Sequence, residues 1–133
     1  MNKRNPKNRK STVICWLWQF PQHLLALGLI WGTGAIRYRM LGRTQVYHAN
    51  RGFGISLGEY IIIDIRIHGL LTTKHEYGHT KQSRLFGPLY LILVGIPSGV
   101  FHLLTRFGVL KSESYYTRYP ENWADRLGQV NRK

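Results

Sequence analysis

The chain predicts a membrane-associated α+β fold: an N-terminal transmembrane helix, a small β-hairpin or sheet, a polar helix around Thr72–Leu85, an apolar helical hairpin and a short C-terminal helix. Three observations predict it. Val13–Ile36 carries no charged residue apart from His23, which is uncharged when deprotonated. Gln45–Ile67 is rich in β-branched and aromatic residues punctuated by Gly52, Gly54 and Gly58. Leu89–Thr105 is a second apolar stretch with Gly95-Ile96-Pro97-Ser98-Gly99 at its middle. The 133 residues allow one domain with one modest core, and contain no internal repeat. The expected parts are a basic tail over 1–12, a transmembrane segment over 13–36, and a compact domain over 44–133 that includes the apolar hairpin 88–105.

The tail holds Lys3, Arg4, Lys7, Arg9 and Lys10 without an acid. The apolar segment after it would form a helix about 36 Å long, enough to cross a bilayer, with Trp16, Trp18 and Trp31 near its ends as interfacial anchors. Gln19, Pro21, Gln22 and His23 interrupt it and predict a kink or a polar contact. A basic tail before a span favours a cytoplasmic N-terminus, although Arg37, Arg39 and Arg43 make the far flank positive too. The alternative is a cleaved signal peptide, with Gly32–Ala35 as a weak cleavage site.

Gly54–Asp64 reads as a strand pair turning near Gly58-Glu59. Its edge is expected either to hold an extended peptide by main-chain hydrogen bonds or to serve as a small structural sheet over the next helix. Pro88 ends or kinks that helix. Pro120 and Gly128 bracket a final helix over 120–127.

Charge and cysteine content narrow the function classes. Nineteen Lys and Arg against six Asp and Glu give a net charge of +13, which suggests an anionic membrane surface or nucleic acid. The basic residues flank apolar stretches, and no nucleic-acid-binding signature is present, so the charge is read as facing membrane lipids. The single cysteine, Cys15, excludes an internal disulfide and a multi-cysteine metal site, leaving His and carboxylate ligands.

The chemistry-bearing stretch is His75-Glu76-Tyr77-Gly78-His79. Histidines four apart share a helix face and present two imidazoles to one metal ion. Glu76 beside them is placed to take a proton from a metal-bound water. The bland alternative for Glu76 is a capping box with Thr73 as N-cap. A catalytic site needs a third protein ligand. Among the remaining acids, Glu59 and Asp64 are on the expected strands and Glu113 is in a polar loop. Glu121 and Asp125 are four apart on the last helix, a spacing that offers one carboxylate ligand and one acceptor for a ligand histidine's other ring N–H. The alternative is that Glu121 only favours the helix N-terminus while Asp125 is exposed.

His75-Glu76-Tyr77-Gly78-His79 followed by Glu121-Asn122-Trp123-Ala124-Asp125 resembles the gluzincin class of zinc metallopeptidases. Together with the Gly87-Pro88-Leu89-Tyr90-Leu91 run and Gly95-Ile96-Pro97-Ser98, it also resembles small bacterial membrane proteins, over roughly Gly52–Val130. The resemblance implies one zinc ion held by His75, His79 and Glu121, Glu76 as general base, Asp125 behind the ligands, and a peptide or protein substrate at the bacterial cytoplasmic membrane. Gluzincins are larger, with a second lobe that this chain does not encode. Tyr115, Tyr116 and Tyr119, with Arg118, are the candidates for an oxyanion donor. The competing readings are a membrane protein with a structural or sensory metal site and no turnover, and an anionic-lipid or nucleic-acid binding module.

A straight crossing by 89–105 would leave Glu121 on the opposite side of the membrane from His75 and His79. The expectation is therefore that the Gly95–Gly99 break folds the segment back. The rival is two full spans with Glu59 or Asp64 as third ligand.

Overall fold

The structure, a computed structural model, describes residues 13–66 and 69–132. The expected basic tail and His68 lie outside them. A helical stretch over 13–18 leads into α1 (Phe20–Thr33), followed by β1 (Ile36–Leu41), β2 (Thr44–Ala49), β3 (Gly54–Leu57) and β4 (Tyr60–Asp64). Then come α2 (Leu70–Phe86), a 3-10 turn (Gly87–Leu89), a π-helical stretch (Leu91–Gly95), α3 (Ile96–Arg106), α4 (Ser112–Tyr115) and α5 (Glu121–Gly128).

The four strands make one sheet in the order β1-β2-β4-β3. β3 and β4 form an antiparallel hairpin around Gly58-Glu59, β2 runs parallel to β4, and β1 pairs antiparallel with β2. Every residue of β4 is buried, which is why it reads as the unbroken run Ile61-Ile62-Ile63. Its residues alternate between two packing clusters. Tyr60 joins Ala26 of α1 and Leu57, whereas Ile61 and Ile63 join Val46, with Tyr77 of α2 packed against them. The sheet is thus covered by α1 on one face and α2 on the other. β1 and β3 are the edges. β1 is almost wholly exposed and carries Arg37 and Arg39, the kind of charge that discourages edge-to-edge pairing.

The expectation of a transmembrane segment over 13–36 is overturned: no described helix is long and apolar enough to cross a membrane. The first helical stretch is interrupted by a turn at Gln19, and α1 ends at Thr33 with Gly34 in the left-handed region (φ 66°). Gln19, Gln22 and His23 have protein partners. Gln19 donates to Glu59 Oε1 (3.2 Å) and accepts from Ser83 Oγ (2.7 Å), and Gln22 donates to the Gly87 carbonyl. His23 Nδ1–H donates to the Trp16 carbonyl (3.0 Å), and its Nε2 accepts the Glu59 amide (3.0 Å). These polar groups are fully buried inside the protein and hold α1 against the hairpin turn.

The same network fixes the C-terminal end of α2. Glu59 accepts from Arg84 Nη2 (2.6 Å), Arg84 Nε (2.8 Å) and Thr44 Oγ1 (3.1 Å). Burial pushes its carboxyl up, but the Arg84 guanidinium outweighs this and holds it below its usual range.

The expected hairpin over 88–105 is also absent. The chain stays helical from the 3-10 turn through the π-helical stretch into α3. Pro97 falls in the first turn of α3, where a missing N–H is tolerated, and the wider π-helical stretch precedes it. Glu121 returns to α2 through the segment after α3, over 107–120, and not through a break at Gly95–Gly99.

That return ends in a close crossing of two helices. A Cβ on Gly78 of α2 would lie 1.9 Å from the Ala124 carbonyl oxygen of α5, and one on Gly128 would lie 2.0 Å from the Lys74 carbonyl oxygen. Only hydrogen atoms at both positions let the two backbones meet. Lys81 Nζ, donating to the Leu127 carbonyl (2.7 Å), closes the same contact. In an uncrowded helix, Gly→Ala stabilises by about 1 kcal/mol. Here Gly78→Ala is expected to destabilise by about 1–3 kcal/mol or more, because it meets backbone that cannot step aside. Chemical denaturation decides by the sign of the change. A Gly78→Ala variant as stable as wild type or more so contradicts the close crossing.

Candidate metal centre

α2 begins at Leu70 with Gly69 at its N-cap, so Thr73 lies inside the helix and bonds back to the Gly69 carbonyl (2.8 Å). The capping-box explanation of Glu76 therefore does not apply. His75 and His79 project from one face, both buried, with ring centroids 4.8 Å apart and planes at 88°. Opposite them α5 presents Glu121, fully buried, and Asp125 one turn later.

Both rings converge on one carboxylate oxygen. Glu121 Oε2 lies 2.9 Å from His75 Nε2 and 3.1 Å from His79 Nε2. The other ring nitrogens determine what this means. His75 Nδ1–H donates to Asp125 Oδ1 (2.7 Å), since a carboxylate accepts. His79 Nδ1–H donates to Gln82 Oε1 (2.7 Å), and the orientation of that amide is set by Gln82 Nε2 donating to the Pro120 carbonyl (3.0 Å). With both Nδ1 atoms serving as donors, each neutral ring aims a lone pair at an anionic oxygen. Three electron-pair donors in one buried spot repel unless a proton or a metal ion lies among them. Glu121 Oε1 is also buried, with no hydrogen-bond partner among the described residues. His75, His79 and Glu121 thus form a buried group able to hold a metal ion, one ligand atom of each lying within 4.8 Å of the others.

The electrostatics agree with a site that attracts a cation. Burial pulls the His75 imidazole down, but Glu121, Glu76 and Asp125 outweigh it and leave His75 above its ordinary value. Burial pushes Glu121 up, yet His75 and His79 beside it hold it well below the usual carboxylate range once a ring carries a proton.

Asp125 stands behind His75, and Arg132 anchors it through Nε (2.7 Å) and Nη2 (3.1 Å). Arg132 in turn covers the Tyr116 ring at 3.5 Å, and Tyr116 packs edge-on against His75. Glu76 is held differently. Ser56 Oγ of β3 lies 2.7 Å from both Glu76 Oε2 and the Glu76 carbonyl. Gly54 leaves room for the carboxylate, because a Cβ there would lie 2.9 Å from Glu76 Oε1. Glu76 and His79 then line a cavity of about 360 Å³ along the β3 edge, lined as well by Tyr90, Tyr115 and residues of α3.

The tyrosine candidates separate. Tyr115 lines this cavity, Tyr116 packs behind His75, and Tyr119 donates away from the site to the Leu93 carbonyl (2.7 Å). Arg118 is exposed. The rival third ligands lie elsewhere: Glu59 is bound by Arg84, Asp64 is paired with Arg66 (2.7 Å), and Glu113 is exposed. Of the other histidines, His23 is built into the α1 network, His48 stacks on Tyr38 (4.2 Å), and His102 lines the cavity.

Gln82, Arg132, Ser56 and the crossing glycines are the residues that the sequence reading missed. A signal existed for Gln82, which follows His79 by three residues and so shares its helix face. None existed for Arg132 or Ser56, whose partners are distant in the chain. No family model, curated protein or solved structure matches this chain. The gluzincin likeness is therefore carried by the motif residues alone.

Metal binding should depend on pH in a defined direction. A metal ion must displace the proton from His75 Nε2, whereas Glu121 is already ionised near neutrality. Zinc affinity is expected to rise by up to about tenfold per pH unit and to keep rising above 6.5, the ordinary imidazole value, before levelling. Competition titration against a chelator with known pH dependence measures it. A plateau reached at or below 6.5 would contradict the raised His75 pKa.

Proposed function

We propose that this chain is a zinc-dependent peptidase. The observation that carries the reading is the convergence of His75 Nε2, His79 Nε2 and Glu121 Oε2 beside a cavity whose wall holds Glu76. Two imidazoles and one carboxylate are a ligand set of catalytic zinc. Structural zinc sites are closed by four protein donors; the group here has three among the described residues, which favours an open position.

Bound zinc supplies Lewis acidity toward water and a peptide carbonyl. The remaining steps belong to the chain. Glu76, oriented by Ser56, takes the proton of the attacking water and returns it to the leaving amine. Asp125 and Gln82 keep both imidazoles in the tautomer that points Nε2 inward. Tyr115 is the hydroxyl placed on the cavity wall to donate to the developing oxyanion, and burial pushes its pKa far up, so it stays protonated. The substrate would lie along β3, the free edge of the hairpin on this side. One edge group is already engaged, because Tyr90 donates to the Ser56 carbonyl (3.1 Å).

Zinc analysis of the purified chain should give one ion per molecule, lost in Glu121→Ala. Glu76→Gln should keep the ion and lose peptide hydrolysis by about 10²–10⁴-fold, the usual weight of a general base. Full activity in Glu76→Gln would refute the mechanism. Zinc retained at full affinity in Glu121→Ala would refute the ligand set.

A further inference from the structure

α3 is built the wrong way round for a core helix. Ile96, Val100, Leu103 and Phe107 share one exposed side, while Ser98, His102 and Arg106, spaced four apart, line the cavity, with His102 and Arg106 also exposed to solvent. A polar stripe turned toward a cavity marks a wet, ligand-facing wall.

The stripe has a polarity. At one end is Ser98, whose side chain is close enough to Tyr115 and Glu121 to influence both of their pKa values. At the other end is Arg106, whose Cα lies about 12 Å further along the helix axis. His102 falls between them, its ring edge-on to Tyr115 at 6.4 Å. Among the described residues Glu76 is the one acid on the cavity wall and Arg106 the one permanent cation. Arg106 is exposed and has no hydrogen bond or ion pair among the described residues.

We infer that Arg106, with His102 beside it, forms a subsite for a carboxylate of the peptide, at the end of the cavity away from the metal ligands. The inference rests on the peptidase reading and names the substrate feature that the site selects. Arg side chains on a helix lean toward its N-terminus, which brings the guanidinium back toward His102. At about 3.3 Å per extended residue, the carboxylate would sit roughly two to four residues from the cleaved bond. Apolar Leu29, Ile55 and Leu57 line the wall as well and suit an apolar side chain within the same peptide.

The test uses the zinc-loaded full chain and three short peptides: a free C-terminal acid, its amide, and that amide with its last residue replaced by glutamate. The free acid should be cleaved with kcat/KM about tenfold or more above the plain amide, as for a charge-assisted contact. Arg106→Gln should bring that ratio to about one. If the glutamate amide matches the free acid, a side-chain carboxylate serves as well as the terminus. An acid-to-amide ratio near one in wild type, or one unchanged in Arg106→Gln, overturns the subsite. Equilibrium binding of the acid and amide to zinc-loaded Glu76→Gln, with and without Arg106→Gln, separates the two proposals. Preference for the acid without any turnover in wild type sinks the peptidase reading and keeps the subsite. Turnover without that preference does the reverse.

Discussion

The contact on which the rest of the molecule depends is the crossing of α2 and α5 through Gly78 and Gly128. A side chain at either position would run into the opposite backbone at about 2 Å. Because neither residue has one, α5 lies close enough for Glu121 to reach both histidines and for Asp125 to reach the back of His75. The crossing therefore sets the spacing among the ligands. Gly78, formally a variable position of the histidine motif, is what lets the motif be completed.

Around that crossing, three kinds of force divide the work. Apolar burial positions α2 against the sheet through Ile61, Ile63, Val46 and Tyr77. A buried ionic network, Arg84 with Glu59, Thr44 and Gln19, fixes the far end of α2 to the hairpin turn and to α1. Removing one member of such a pair leaves a buried charge without its counter-ion, so the network constrains geometry more than it adds stability. Hydrogen bonds from Asp125 and Gln82 then fix the ring tautomers. Their shared result is a buried group of three electron-pair donors that could hold a metal ion.

Some of this was legible in the sequence because its causes are local. His75 and His79, four apart, and Glu121 and Asp125, four apart, each declare a shared helix face without knowledge of the fold. The hairpin turn at Gly58-Glu59 is equally local, with Gly58 in the left-handed region (φ 63°). What was misread depends on partners far along the chain. Hydropathy treats Val13–Ile36 as one apolar run, yet Gln19, Gln22 and His23 bond to Glu59, Ser83 and Gly87, about 36–65 residues away. The alternation Ile36-Arg37-Tyr38-Arg39-Met40 is a strand signal with period two, and taking its arginines for a membrane flank hid β1. Pro97 marked an irregularity correctly, but its remedy is a π-helical stretch rather than a reversal of direction.

The central claim, that α2 and α5 together make a metal site, is tested most directly by locating the ion. Crystals of the zinc-loaded protein, with anomalous differences measured on both sides of the zinc absorption edge, are expected to show one strong peak among His75 Nε2, His79 Nε2 and the Glu121 carboxylate, about 2.0–2.2 Å from each. A peak elsewhere on the chain, or none among these three side chains, would contradict the account.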